Sequence, residues 1–319
     1  MTSTSPERGI IGQTIIIENP SKDSCCIRGK DLIIPQYMKT AKILLVALCS
    51  LIVLSCGNDK TYSYQEYGLN RPVKSIKVTT YEAECKFGEV VKGDLKWNGH
   101  YLAEFNSVGN IISLTEYDDD GDLDGVTKYK YNNDDNVIDA SEYDEDGKLH
   151  YNQSLEYNGS LLSKVTSTLK YSKEENVYVN EITREGETIT SEITHHNGEL
   201  ISVVKYSKYD KTGAEWVSYD GDGKETAKGS SLLNKDGKVT KHNLSETEYY
   251  EVTWNEKGLP VYLKNAELYN NSYVTYNFRG ESVFYIEYEY DNKGNWIKQT
   301  VFEGEMKKPV TISERVIVY

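Results

Sequence analysis

One phrase recurs along most of this chain and constrains its folding more than any other feature. An aromatic residue is followed by Asn or Asp, a few polar residues, a glycine, and a hydrophobic residue that begins a new alternating run. It appears at Phe105-Asn106 with Gly109, Tyr117-Asp118 with Gly121, Tyr131-Asn132 (without a glycine), Tyr143-Asp144 with Gly147, and Tyr157-Asn158-Gly159. It returns at His196-Asn197-Gly198, Tyr209-Asp210 with Gly213, Tyr219-Asp220 with Gly221 and Gly223, and Leu233-Asn234 with Gly237. Trp254-Asn255 with Gly258, Tyr276-Asn277 with Gly280, and Tyr290-Asp291 with Gly294 complete the series. An Asn or Asp side chain opens a turn by accepting a backbone N–H two residues on, and glycine takes the left-handed position that closes it. Gly294 is expected at such a position; Gly304, in Glu303-Gly304-Glu305, lies outside the phrase. The segments between turns alternate: Thr127, Tyr129 and Tyr131 share one face, Lys128 and Lys130 the other. This regularity predicts an all-β chain, an elongated or curved antiparallel sheet of repeated β-hairpins over residues 72–319.

Composition supports extended structure. The 319 residues have a mean hydropathy of −0.61, a value that alone would point to disorder. They also hold 27 Tyr, and disordered chains are poor in aromatic and β-branched residues. Tyrosines paired across strands can cover a sheet short of aliphatics, while an exposed aromatic row could stack on sugars. The formal charge of −14 argues against a nucleic-acid partner, which requires a basic stripe.

A targeting segment lies near residue 38. Met38 precedes Lys39 and Lys42, and Ile43–Leu54 is an apolar run too short to span a bilayer comfortably. It ends in Val53-Leu54-Ser55-Cys56-Gly57, which has the form of a bacterial lipobox. The expected organisation is a non-native, disordered extension over 1–37, a lipoprotein signal peptide over 38–55, and lipidation of Cys56. A tether over 56–71 and the β-domain over 72–319 follow. Cys85 is the one thiol left beyond the anchor, so no intrachain disulfide is expected. With Gly57 in the second mature position, the expected location is the cell envelope, lipid-anchored at the outer membrane.

The segment Tyr290-Asp291-Asn292-Lys293-Gly294-Asn295-Trp296 resembles the YD (RHS-type) repeat. Together with the lipobox, Pro72-Val73-Lys74-Ser75-Ile76, Tyr81-Glu82-Ala83, Lys86-Phe87-Gly88-Glu89 and Ile312-Ser313-Glu314-Arg315, it resembles YD-repeat-like lipoproteins of Bacteroidota. The resemblance covers residues 72–319 and departs around 160–195, where the phrase gives way to longer strands. It implies fold and envelope location, and no catalytic residues.

The remaining chemistry is sparse. Asp120-x-Asp122-x-Asp124-Gly125 matches the opening of a calcium loop, but the twelfth position, which should be a bidentate Glu, is Tyr131. The alternative is a solvated turn tip, as at Asp144-Glu145-Asp146-Gly147. No H-E-x-x-H, G-x-S-x-G, Walker or G-x-G-x-x-G motif is present. The expectation is a non-enzymatic scaffold or binding module for a protein or glycan, with no cofactor. A calcium-responsive periplasmic binding protein and a carboxylate-dependent hydrolase are the alternatives.

Overall fold

The computed structural model describes residues 62–170, 175–245, 248–269, 273–276 and 282–319. The expected extension, signal peptide and Cys56 lie outside the described residues. A single helical turn, α1 (Ser63–Glu66), precedes the strands. They run β1 (Ser75–Lys86), β2 (Glu89–Leu95), β3 (His100–Phe105), β4 (Ile111–Tyr117), β5 (Leu123–Tyr131), β6 (Val137–Asp144) and β7 (Leu149–Asn158). Next come β8 (Leu161–Leu169), β9 (Asn176–Glu185), β10 (Thr188–His196), β11 (Glu199–Asp210), β12 (Gly213–Asp220), β13 (Glu225–Leu233) and β14 (Val239–Asn243). The last are β15 (Tyr249–Trp254), β16 (Pro260–Lys264), β17 (Ala266–Tyr269), β18 (Tyr273–Tyr276), β19 (Val283–Tyr290), β20 (Trp296–Glu303) and β21 (Lys308–Val318).

The hairpins form through the chemistry read in the phrase. The Asn106 Oδ1 accepts the N–H groups of Val108 and Asn110, at 3.2 and 2.9 Å. The Gly109 N–H donates to the Asn106 carbonyl and the Asn106 N–H to that of Asn110. The bond from the fourth residue on recurs at Asp118, Asn132, Asp144, Asp220, Asn234, Asn255 and Asp291. Glycine holds the left-handed position, as at Gly109 and Gly294 (φ 95° and 81°), and where the phrase lacks glycine Asp135 takes it at φ 55°. Gly304, expected to lie outside the phrase, is also left-handed, at φ 71°.

A second regularity is not visible in the phrase. The ladder shifts register beside the aromatic residue that opens many of the turns, as between Glu104 and Phe105, Glu116 and Tyr117, Lys130 and Tyr131, and Glu142 and Tyr143. Each such β-bulge adds twist and bends the strand. Repeated in successive hairpins, the bend turns the sheet back on itself. β21 pairs antiparallel with β1, from Ser75 opposite Val318 to Glu82 opposite Thr311. The other edge of β1 pairs with β3. The expected elongated or curved open sheet is thereby corrected: the chain is all-β, but the sheet is a closed 18-strand antiparallel barrel. β2 stands outside the ring, paired to the far end of β1, and β17–β18 forms a separate hairpin between β16 and β19.

Alternation sorts the side chains into two faces. One carries Ile76, Val78, Tyr101, Ala103, Tyr151, Gln153, Ser218, Leu263, Trp296, Gln299 and Ser313, each no more than 2% exposed. A round ring of this many strands would enclose a lumen roughly 35 Å across, too wide for side chains to fill. The low exposure of these residues shows that this face is packed against other groups. The register puts Lys77, Glu104, Lys128, Glu181, Lys205, Lys228 and Glu314 on the opposite, outward face.

Candidate functional site

The most elaborate arrangement is at the mouth where β1 begins and β21 ends. Residues 62–74, which include the last part of the expected tether, are docked here. The Tyr64 N–H donates to the Gly109 carbonyl at 3.0 Å. The Asn70 N–H donates to Asn295 Oδ1 at 2.8 Å, and Asn70 Nδ2 to the Lys293 carbonyl at 3.2 Å. The Tyr67 ring lies 6.1 Å from Tyr101 and meets Phe105 edge-on at 5.6 Å. Leu69 and Val73 are buried in one apolar cluster with Leu259 and Trp296. Glu66 is within electrostatic reach of Tyr131 on β5 and of Lys238 in the β13–β14 turn, which lie on opposite sides of the ring. The segment therefore crosses the mouth.

Beneath it, Arg315 of β21 points inward. It is 4% exposed, and its guanidinium carbon sits 3.4 Å over the Trp296 ring. Tyr288 packs 6.1 Å from the same Trp296. Burial pulls the Arg315 guanidinium down to about 10, still a cation at neutral pH.

Further polar groups lie on the inner face. Ser231 Oγ and His242 Nδ1 are 2.6 Å apart, with Trp216 and Tyr250 stacked on the imidazole. Burial pushes His242 down to about 4, so the ring is neutral at pH 7. Among the described residues no carboxylate bonds this imidazole, so the pair lacks the orienting acid of an acyl-transfer triad. Glu142 and His150, both buried, meet at 2.7 Å. Glu192 accepts from Tyr206 at 2.8 Å and from Asn180 at 3.2 Å. In the sequence, His100, His150 and His242 are scattered. The signal was present: counting outward from the turn at Asn234–Lys238, with its bulge, pairs Ser231 with His242.

The structure divides the candidate calcium residues. Asp118, Asp119 and Asp120 bring carboxylate oxygens within 4.8 Å of one another in the β4–β5 turn. Asp122 and Asp124 are not in that group. Asp118 Oδ1 is engaged by the N–H groups of Asp120 and Asp122. Tyr131 ends strand β5 at the other end of the barrel and donates to the Ile111 carbonyl at 2.6 Å, so the twelve-residue stretch is half turn and half extended strand. Cys56, the candidate lipidation site, lies outside the described residues.

The fold and this mouth define a closed antiparallel barrel with a dry interior and a docked N-terminal segment. No protein-family model matches the chain, and no curated protein matches it. Among solved structures it is similar to a porin-like protein from Bacteroides uniformis, with 12% identity and a TM-score of 0.37 over 77% of this chain and 98% of that one. A porin-like protein from Bacteroides vulgatus gives 13% identity and a TM-score of 0.35 over the same shares. These findings, with the closed barrel, correct the expected resemblance: the neighbours are porin-like barrels, not YD-repeat (RHS-type) proteins. A likeness of this size carries no argument about function.

Proposed function

We propose that the protein is a non-enzymatic, lipid-anchored barrel of the cell envelope. In this reading Cys56 holds it at the outer membrane, and the barrel stands in water with its outer surface available to a protein or glycan partner. The observation that carries the reading is the outward face. A barrel embedded in lipid needs an apolar outer band. Here that face is laced with cross-strand ion pairs: Lys130–Asp139 at 3.3 Å, Lys164–Glu156 at 3.2 Å, Lys241–Glu251 at 2.9 Å and Lys298–Glu289 at 2.7 Å. Charges at mid-bilayer would each cost several kcal/mol.

The test is expression of residues 57–319 without the signal. The chain should be soluble without detergent, and Cys56→Ala in the full-length protein should abolish lipidation and leave the chain unprocessed or mislocalised. A 57–319 chain that needs detergent and conducts ions in planar bilayers would overturn the proposal. The calcium-responsive alternative is tested by melting in millimolar calcium against chelator at fixed ionic strength. We expect a shift below about 5 °C, on the order of 1 kcal/mol for a chain of this size.

A further inference from the structure

We propose that Arg315 anchors a binding site for a small organic carboxylate inside the barrel mouth. The inference is independent of the lipid anchor and of any partner on the outer surface. Val78 pairs with Arg315 on one side and with Tyr101 on the other, so these two side chains share a row across one small aliphatic residue. Both are buried, at 4% and 2% exposure. Among the described residues, the Nε, Nη1 and Nη2 atoms of Arg315 and the Tyr101 hydroxyl have no partner in good hydrogen-bond geometry. Arg315 and Tyr101 lie close enough to act on each other's protonation, Tyr101 favouring the charged guanidinium.

The charge lies among aromatic rings, with the guanidinium over Trp296. The ionisable groups acting on Arg315 are the phenols of Tyr101, Tyr67 and Tyr288. Burial holds all three above their ordinary value, so they are neutral at pH 7. Among the described residues, no carboxylate is one of the largest of these influences. Glu116, opposite Tyr101 on β4, acts on Tyr101 and Tyr67. A buried cation with unmade hydrogen bonds is strongly unfavourable unless something pairs with it.

The donor set indicates what that is. A guanidinium fork matches a planar carboxylate with two parallel N–H···O bonds, and the Tyr101 hydroxyl supplies a third donor. One arginine neutralises a monoanion, whereas a phosphate dianion would leave a net negative charge in a dry site. The surrounding rings of Tyr67, Tyr101, Tyr288 and Trp296 suit an apolar or planar remainder. Tyr67 belongs to the docked segment 62–74, so entry is through the mouth which that segment crosses.

The test uses the soluble chain 57–319 with acetate and benzoate as probes and acetamide and benzamide as uncharged isosteres, at constant ionic strength. Thermal melting and tryptophan fluorescence are the readouts. Both carboxylates should raise the melting temperature in a saturable way, and the amides should not. Arg315→Gln should abolish the response, and Tyr101→Phe should weaken it several-fold. Equal effects of acids and amides, no response up to tens of millimolar, or a response to inorganic phosphate alone would overturn the proposal. If Arg315→Gln does not fold, the Tyr101→Phe titration decides, and an affinity equal to wild type would count against the site.

Discussion

Gly294 and Gly304 both sit in left-handed backbone, at φ 81° and 71°, yet their surroundings differ. A Cβ on Gly294 would lie 2.8 Å from Asn70 Nδ2, while one on Gly304 meets nothing within 4 Å. Valine at either position is strained by roughly 1–2 kcal/mol or more. Gly294→Val should melt lower than Gly304→Val because it also pushes on the residue that ties the docked segment to the β19–β20 turn. Equal melting points would show that the segment adds nothing there. His242 makes a prediction of a different kind. The unfolded imidazole takes up its proton near 6.5, the folded one only at about 4. Above pH 6.5 both states are neutral and stability is full. As pH falls toward 4 the unfolded state alone gains a proton, so stability is lost, by at most about 3 kcal/mol. His242→Phe should flatten this acid limb in denaturant unfolding measured between pH 4 and 7.

Hairpins are the repeated element, and not all their turns have the same duties. Asp144 holds its own turn through the Lys148 N–H. Asp291 accepts from the N–H groups of Lys293 and Asn295 and also from the Tyr319 hydroxyl at the chain's end. At about 1 kcal/mol per bond, Asp291→Ala should destabilise by roughly 2 kcal/mol more than Asp144→Ala, read as the difference in urea midpoints. The tyrosine excess is also explained at this scale. Lys77 lies 5.8 Å from the Tyr117 ring, Lys128 5.4 Å from Tyr143, and Lys205 5.3 Å from Tyr219. A tyrosine that opens a turn is thus covered by the stem of a lysine from another strand, which stabilises the face without aliphatic residues.

In the whole molecule, one ladder decides between an open sheet and a barrel. The β1–β21 pairing joins Ser75–Glu82 to Thr311–Val318, strands at the two ends of the domain. It removes the exposed edges that an open sheet of this length would carry. It also encloses Ile76, Val78, Ser313 and Arg315 on the inner face. A chain ending at Glu305 should therefore lose cooperative unfolding and aggregate, monitored by circular dichroism and size exclusion. A truncated chain that stayed monomeric, with an unchanged melting curve, would mean closure contributes little.

What the sequence determined is local. Asn or Asp at the turn entry and glycine three residues on set the hairpins, because a side-chain acceptor and a left-handed backbone position are properties of a few adjacent residues. Alternation set which residues share a face, because the strand period is two. Even the turn without a glycine at Asn132 was legible as a turn, with Asp135 supplying the left-handed residue. Three things were decided only by tertiary structure. The register shifts beside the turns leave no mark in composition, and their sum bends the sheet until β21 meets β1. Which face is inside followed from that closure, not from alternation. The isolation of Arg315 depended on both, since Arg315 and Tyr101 come from opposite ends of the chain and become neighbours only when β1 is paired on both edges.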